Sequence, residues 1–216
     1  RKVHKTQIKD RAVFENRTYD DFKALNLQLN EFWEMDTVLS ARGCLKCILT
    51  FVDPEILLFY ARLLPCHEPC YVERAFDTLE KTLGGVYEFQ SMLPIILTDR
   101  GSEFGKPDNL ETNKDGIIRT SIYYCDPMSS GQKGCLEEAH TLLRMILPKG
   151  TLFTDLTQWD VRRIVNHMNS YARKNLEGAT PYQLALKKYG PEILEALQIK
   201  FIPPDEVTMS PDLLKK

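Results

Sequence analysis

No stretch of this 216-residue sequence is apolar for anything near the ~18 residues of a membrane-spanning helix. Nor does any segment have the make-up of a signal peptide. A membrane partner is therefore not expected. Charge of one sign is missing too. Lys and Arg number 28 against 30 Asp and Glu, a formal net charge of −2, so the bulk composition does not announce nucleic acid. Internal repeats and low-complexity tracts are absent as well. The chain opens on Arg1 instead of methionine and is read as a piece of something longer.

What is present is an ordinary globular mixture, 43% hydrophobic and 27% charged, long enough for one good-sized domain with a real core. Charge is unevenly spread. Between Gln132 and Asn175 seven Lys or Arg face four Asp or Glu, with His140 and His167 besides. That is a mild basic bias of the kind a solvated face also gives. The six cysteines include Cys44-x-x-Cys47 and the pair Cys66 and Cys70. A closed tetrahedral zinc site needs four convergent ligands. Cys44 and Cys47 instead lead into a strand, where residues three apart point to opposite faces. The thiols are therefore read as reduced, several of them buried as small apolar groups, with neither structural zinc nor disulfides.

Residues 1–30 are polar and mixed in charge, a lead-in with one short helix. Three aromatic and β-branched runs follow, "EFWEMDTVLSA", "CLKCILTFVDP" and "EILLFYARLL". Arg42-Gly43 and Asp53-Pro54 separate them, the signature of an antiparallel meander. Pro69 opens a helix whose stripe is Val72, Ala75, Phe76, Leu79 and Leu83, and Gly84-Gly85 ends it. "LPIILTDRG" reads as a continuous buried strand, residues 105–116 as a polar loop, and "IIRTSIYYCDP" as a fifth strand. Leu136, Ala139, Leu142, Leu143 and Ile146 mark a helix stopped by Pro148 and Gly150. Thr157 and Asp160 form a capping box for the next, striped by Val161, Ile164, Val165, Met168 and Tyr171. Thr180-Pro181 starts a third, stopped by Gly190-Pro191, and the Pro-broken tail runs extended. A helix between the third and fourth strands is a crossover, so the expected fold is a layered α/β domain with a mixed sheet and helices on both faces.

In that order of elements Asp36 sits inside the first strand, Asp99 ends the fourth, and Glu137 lies in the first turn of the helix after the fifth. Each has an ordinary reading, as a strand-edge polar residue, a turn former or a helix-dipole partner. Brought together, such carboxylates would repel one another unless a hard divalent cation joined them.

"FWEMDTV", "ILTDRGSEF" and "YYCDPMSSGQKGCLEEAHTLLRMILPKGT" resemble the three catalytic blocks of bacterial insertion-sequence transposases of the insertion-sequence-thirty group. These transposases belong to the Asp-Asp-Glu superfamily with retroviral integrases. The resemblance runs from about Glu31 to the end and takes in "MNSYARKNLEGATPY". It implies an RNase H-like fold with a five-stranded mixed sheet and a C-terminal helical extension. Residues 1–30 would be the linker from an upstream DNA-binding region, 31–176 the catalytic core, and 177–216 the C-terminal helix and tail. It further implies that Asp36, Asp99 and Glu137 bind two Mg²⁺ or Mn²⁺ ions for DNA end cleavage and strand transfer. Partners would be the element's terminal inverted repeats and target DNA, with a homo-oligomer assembled on them in the bacterial cytoplasm, at the nucleoid. Arg100, Lys133, His140 and Arg144 are the candidate DNA contacts. Block alignment selects Glu137 over its neighbour Glu138; Glu138 and Ala139 depart from the pattern, which has a basic residue and a polar amide there. Two alternatives stay open: another RNase H-like nuclease, and an inactive DNA-binding module descended from a transposase.

Overall fold

The computed structural model describes residues 6–215, so Arg1 to Lys5 of the expected lead-in and Lys216 of the tail lie outside the described residues. The lead-in forms α1 (Tyr19–Ala24), opened by a capping box between Thr18 and Asp21. Strands β1 (Trp33–Leu39), β2 (Cys47–Asp53) and β3 (Leu58–Leu64) make the expected meander, each pair antiparallel. Helix α2 (Pro69–Leu83) has Pro69 in its first turn and buries the predicted stripe. Gly84 closes it at φ 110°, a left-handed conformation that costs glycine little. The chain continues through α3 (Val86–Met92), β4 (Ile95–Thr98), α4 (Pro107–Glu111) and β5 (Ser121–Tyr124). Then come α5 (Gly134–Ile146), α6 (Gln158–Ser170) and α7 (Pro181–Ala196).

The sheet order is β3-β2-β1-β4-β5, with β1, β4 and β5 parallel. Alternation along β1 divides the layers. Glu34 and Asp36 face α5 and the turn before it. On the other face Trp33 Nε1–H donates to the Met92 carbonyl, and Phe51 on β2 packs on Phe76 of α2. Helices therefore cover both faces. The edge strand β3, which would otherwise offer open backbone groups to another chain, is clamped by two amides of α6. Asn169 accepts from Phe59 N–H and donates to Phe59 O, and Gln158 accepts from Leu63 N–H. Eleven residues are about three helical turns, which puts both amides on one face of α6.

Several elements depart from the sequence reading. The stretch after Gly84-Gly85 forms α3, because Val86, Phe89 and Met92 recur at helical spacing and are buried. The expected loop at 105–116 contains α4, started by Pro107 and anchored by buried Leu110. The fifth strand is shorter than expected: Ile117 and Ile118 are exposed, and pairing begins at Ser121. Cys44 lies in the turn before β2 and not in the strand. Helix α6 ends at Ser170, leaving Tyr171 extended and 40% exposed. Gly190-Pro191 interrupts α7 with one non-helical residue, and the helix resumes to Ala196.

Two buried anchors tie distant segments to the sheet. Lys188 and Tyr189 of α7 both reach Asp53 at the end of β2, at 2.7 and 2.6 Å. Arg119, fully buried, donates to Asp77, Glu80 and the carbonyls of Asn109 and Leu110. Its guanidinium also lies over the rings of Phe76 and Phe89.

Candidate functional site

Trp33 pairs with Ile96 and Glu34 with Leu97 across the parallel β1/β4 ladder. Continuing that offset sets Asp99, the first residue past β4, alongside Asp36 inside β1. Hydrogen bonds fix one oxygen of each. Asp36 Oδ1 accepts from Thr37 N–H at 2.6 Å, and Asp99 Oδ1 accepts from Gly101 N–H at 2.9 Å. Thr37, next to Asp36 inside β1, is tied to the turn after Asp99: it donates to Glu103 Oε1 at 2.5 Å, and His67 Nε2 stands 2.7 Å from the same oxygen. Gly101 is needed here for close approach. A Cβ on it would run into the buried Glu103 carboxylate.

Helix α5 brings the third carboxylate. Its register against the sheet is set by Glu34, 4% exposed, whose Oε2 accepts from Leu136 N–H at 2.6 Å. A carboxylate at a helix N-terminus satisfies an orphan donor and meets the dipole. Burial nonetheless pushes Glu34 up to about 7, against the lowering pull of the Leu136 N–H and of the Lys133 charge. Lys133, in the turn before α5, donates to Met35 O and Asp36 Oδ2, both at 3.1 Å.

Asp36, Asp99 and Glu137 line one cavity of about 270 Å³, with Arg100, Lys133 and His140 also in its wall. Glu138 does not line it; its carboxylate accepts from Asn175 at 3.2 Å. Among the described residues no three His, Cys, Asp or Glu side chains are gathered closely enough to hold a metal ion. The carboxylates share a space without forming a closed shell, and Glu137 is the exposed member. Cys125 is in the wall as well, but burial pushes its thiol up to about 12, so it stays protonated and weakly nucleophilic.

The candidate DNA contacts separate. Lys133 is 6% exposed and turned onto Asp36. His140 Nε2 lies 2.9 Å from Thr50 Oγ1, whose hydroxyl donates to Asp36 O. Arg144 donates to Leu147 O at 3.3 Å. Arg100 donates to Cys125 O and lies over Phe14 at 4.4 Å, its side chain 21% exposed. Sequence reasoning missed Glu34, Glu103, Thr37 and His67. Glu34 and Glu103 could have been flagged as acidic residues inside otherwise buried runs, "FWEMD" and "DRGSEF".

A five-stranded mixed sheet in this order, with helices on both faces, is the RNase H-like fold of integrase catalytic cores. The chain is similar to the catalytic core domain of BIV integrase, with a TM-score of 0.51 and 18% identity, covering 74% of this chain and 95% of that one. A chain of the simian T-cell lymphotropic virus intasome in complex with PP2A regulatory subunit B56 gamma gives a TM-score of 0.52 at 15% identity. That match covers 72% of this chain and 54% of the other.

The homologues are more particular: they are insertion-sequence transposases, the insertion-sequence-thirty family among them, and an integrase. The putative integrase ORF3 of Spiroplasma virus SpV1-R8A2 B is 29% identical over 191 residues, 85% of this chain and 56% of the relative. The transposase for insertion sequence element IS4351 of Bacteroides fragilis is 26% identical over 148 residues, 68% and 42%. Transposase InsI for insertion sequence element IS30A of Escherichia coli (strain K12) is 33% identical over 87 residues, 40% and 21%. The chain thus spans about half the length, or less, of the relatives it matches. No family model matches it.

Proposed function

We propose that this chain is the catalytic domain of a transposase, cutting DNA at the ends of a mobile element and joining the freed 3′-hydroxyl to target DNA. The observation that carries the reading is the meeting of Asp36, Asp99 and Glu137 in one cavity, in a fold of the integrase-core class. Residues 31–176 would form the catalytic core and 177–216 its extension. Handling two element ends would call for at least two copies assembled on DNA.

The donor set suits a hard divalent cation, which takes carboxylate oxygens, and the Lys133 ammonium on Asp36 marks a place that already attracts positive charge. Magnesium or manganese, two ions in this reading, would supply Lewis-acid polarisation of the phosphodiester and activation of water or a 3′-hydroxyl for in-line displacement. The protein's part is positioning. Asp36 and Asp99 are held by backbone N–H groups and by the Thr37–Glu103 link beneath them. Glu34 and Lys133 fix where α5 starts, and hence where Glu137 stands. Lys133 spends two of its three N–H donors on Met35 and Asp36, and the third can meet a non-bridging phosphate oxygen.

The test is divalent-metal-dependent nicking of DNA that carries the element's ends. Asp99→Asn and Glu137→Gln should abolish it while leaving the fold intact, and Glu138→Gln should not. Full activity in Asp99→Asn would end the reading. Loss confined to Glu138→Gln would move the third carboxylate by one residue.

A further inference from the structure

Three of the four candidate DNA contacts named above point inward, at Asp36, Thr50 and the Leu147 carbonyl. Arg100 stands instead at an opening. A groove of about 430 Å³ lies beside the carboxylate cavity and shares Gln7, Arg100 and Pro127 with it. The charged residues lining this groove are Lys9, Arg11 and Arg100, with no carboxylate among them. In a chain of net charge −2 that concentration of one sign is not the average surface.

The wall carrying Lys9 and Arg11 is docked. Ile8 N–H donates to Arg100 O at 2.9 Å, Ser102 N–H donates to Thr6 O at 2.8 Å, and Gln7 forms an antiparallel bridge with Gly101. Asp10 spends its carboxylate on Ala12 N–H, capping the short turn Arg11–Phe14. Phe14 then packs edge-on to Tyr124 at 5.0 Å and beneath Arg100. The neighbouring acid is Asp126, 3.5 Å from Arg100 in the wall of the carboxylate cavity. The segment before α1 therefore pairs with the turn that carries Asp99 and presents two exposed cations beside it.

We propose that Lys9, Arg11 and Arg100 form a phosphate track that receives the DNA strand where it leaves the carboxylate cavity. The track rests on the DNA-processing reading above and adds its path. Long cationic side chains along an open groove contact the sugar-phosphate backbone, which positions DNA without reading its sequence. Their release of counterions makes the contact salt-dependent.

The test needs no catalysis. Binding of a labelled DNA duplex with a single-stranded 3′ end is followed by fluorescence anisotropy, in EDTA, across a series of salt concentrations. Lys9→Ala combined with Arg11→Ala should weaken binding on the order of tenfold. The slope of log affinity against log salt should become shallower by about 1.8 if the track holds duplex, or about 1.4 if it holds a single strand. The charge-keeping Lys9→Arg with Arg11→Lys should bind like wild type. Lys187→Ala with Lys200→Ala, also exposed but outside the groove, should change neither quantity. Wild-type affinity and slope in the Lys9/Arg11 variant would overturn the track, as would an equal loss in the Lys187/Lys200 control. Failure of the wild-type chain to bind DNA at all would instead count against the transposase reading itself.

Discussion

Arg119 and Lys133 are both buried cations, yet their surroundings differ. All three nitrogens of the Arg119 guanidinium donate: to Asp77 and Glu80 at 3.0 Å each, and to two backbone carbonyls at 2.8 and 3.0 Å. Lys133 meets Met35 O and Asp36, and that pair opens onto a cavity holding Asp99 and Glu137. A closed, satisfied network fixes one packing of α2, α4 and the approach to β5. A charge cluster left open to solvent is screened by it and contributes less to folding. On the proposed function, the difference separates a group that holds the fold from one that serves the carboxylate cavity.

The sharpest way to break this comparison is to disable each cluster in turn. Asp99→Asn should lower metal-dependent cleavage by at least about a hundredfold, while the thermal midpoint stays within about 2 °C. Arg119→Ala should do the reverse. It leaves Asp77 and Glu80, which keep only Lys114 and Asn113 as partners, beside a buried gap, a loss of about 3–5 kcal/mol and roughly 10 °C in midpoint. Cleavage per folded molecule, measured well below that midpoint, should stay near wild type. A cleavage defect in folded Arg119→Ala, or unfolding of Asp99→Asn, would erase the distinction.

Glu34 lies between the two kinds, because it is buried like Arg119 but serves α5. Glu34→Ala removes the acceptor of the Leu136 N–H. Cleavage should fall about 10- to 100-fold, with faster hydrogen exchange over residues 134–139. Glu34→Gln keeps a carbonyl acceptor and should recover most of both. Equal defects in the two variants would show that Glu34 does not act through that hydrogen bond.

The smallest expected effect is in the tail. Burial and the charge of Arg163 pull His167 below its ordinary 6.5, and its Nδ1 accepts from Thr208 N–H at 3.0 Å. A depressed histidine pKa means that the folded form favours the neutral ring. The contribution is therefore present above about pH 6.5 and lost as pH falls below it. Between pH 7.5 and 5.5 the loss should be small, since the site is partly screened by solvent. His167→Asn, which keeps an acceptor but cannot titrate, should flatten that part of the pH–stability curve. An unchanged slope would remove His167 from it.

Much of the fold was legible because its signals are local. The meander follows from three apolar runs with turn residues between them, and α2 from Pro69, its stripe and Gly84. The box at Thr157 starts α6 as expected, and Thr180-Pro181 starts α7, where Gln183 completes a second box. What could not be read depends on tertiary neighbours. Helix α4 forms in a polar stretch because Leu110 finds the core and Arg119 takes up the carbonyls of Asn109 and Leu110. Ile117 and Ile118 look like strand but lie outside the paired register. At the site, Asp36, Asp99 and Glu137 each have an ordinary reading by position, and it is the resemblance of the three blocks to insertion-sequence transposases that singles them out. Lys133 had the look of a surface contact, and only the packing of α5 on β1 shows it pointing inward. Lys9 and Arg11 sat in a segment with no pattern at all, since what gives them a place is a backbone bridge between Gln7 and Gly101, 94 residues apart.

The most direct measurement is a Mn²⁺ titration followed by electron paramagnetic resonance on the folded chain, with and without Asp36→Asn/Asp99→Asn. The expected result is saturable binding of one or two ions to the wild type, lost in the double variant while its circular dichroism is unchanged. Equal Mn²⁺ binding by both proteins would contradict the assignment of Asp36 and Asp99 as the ligands.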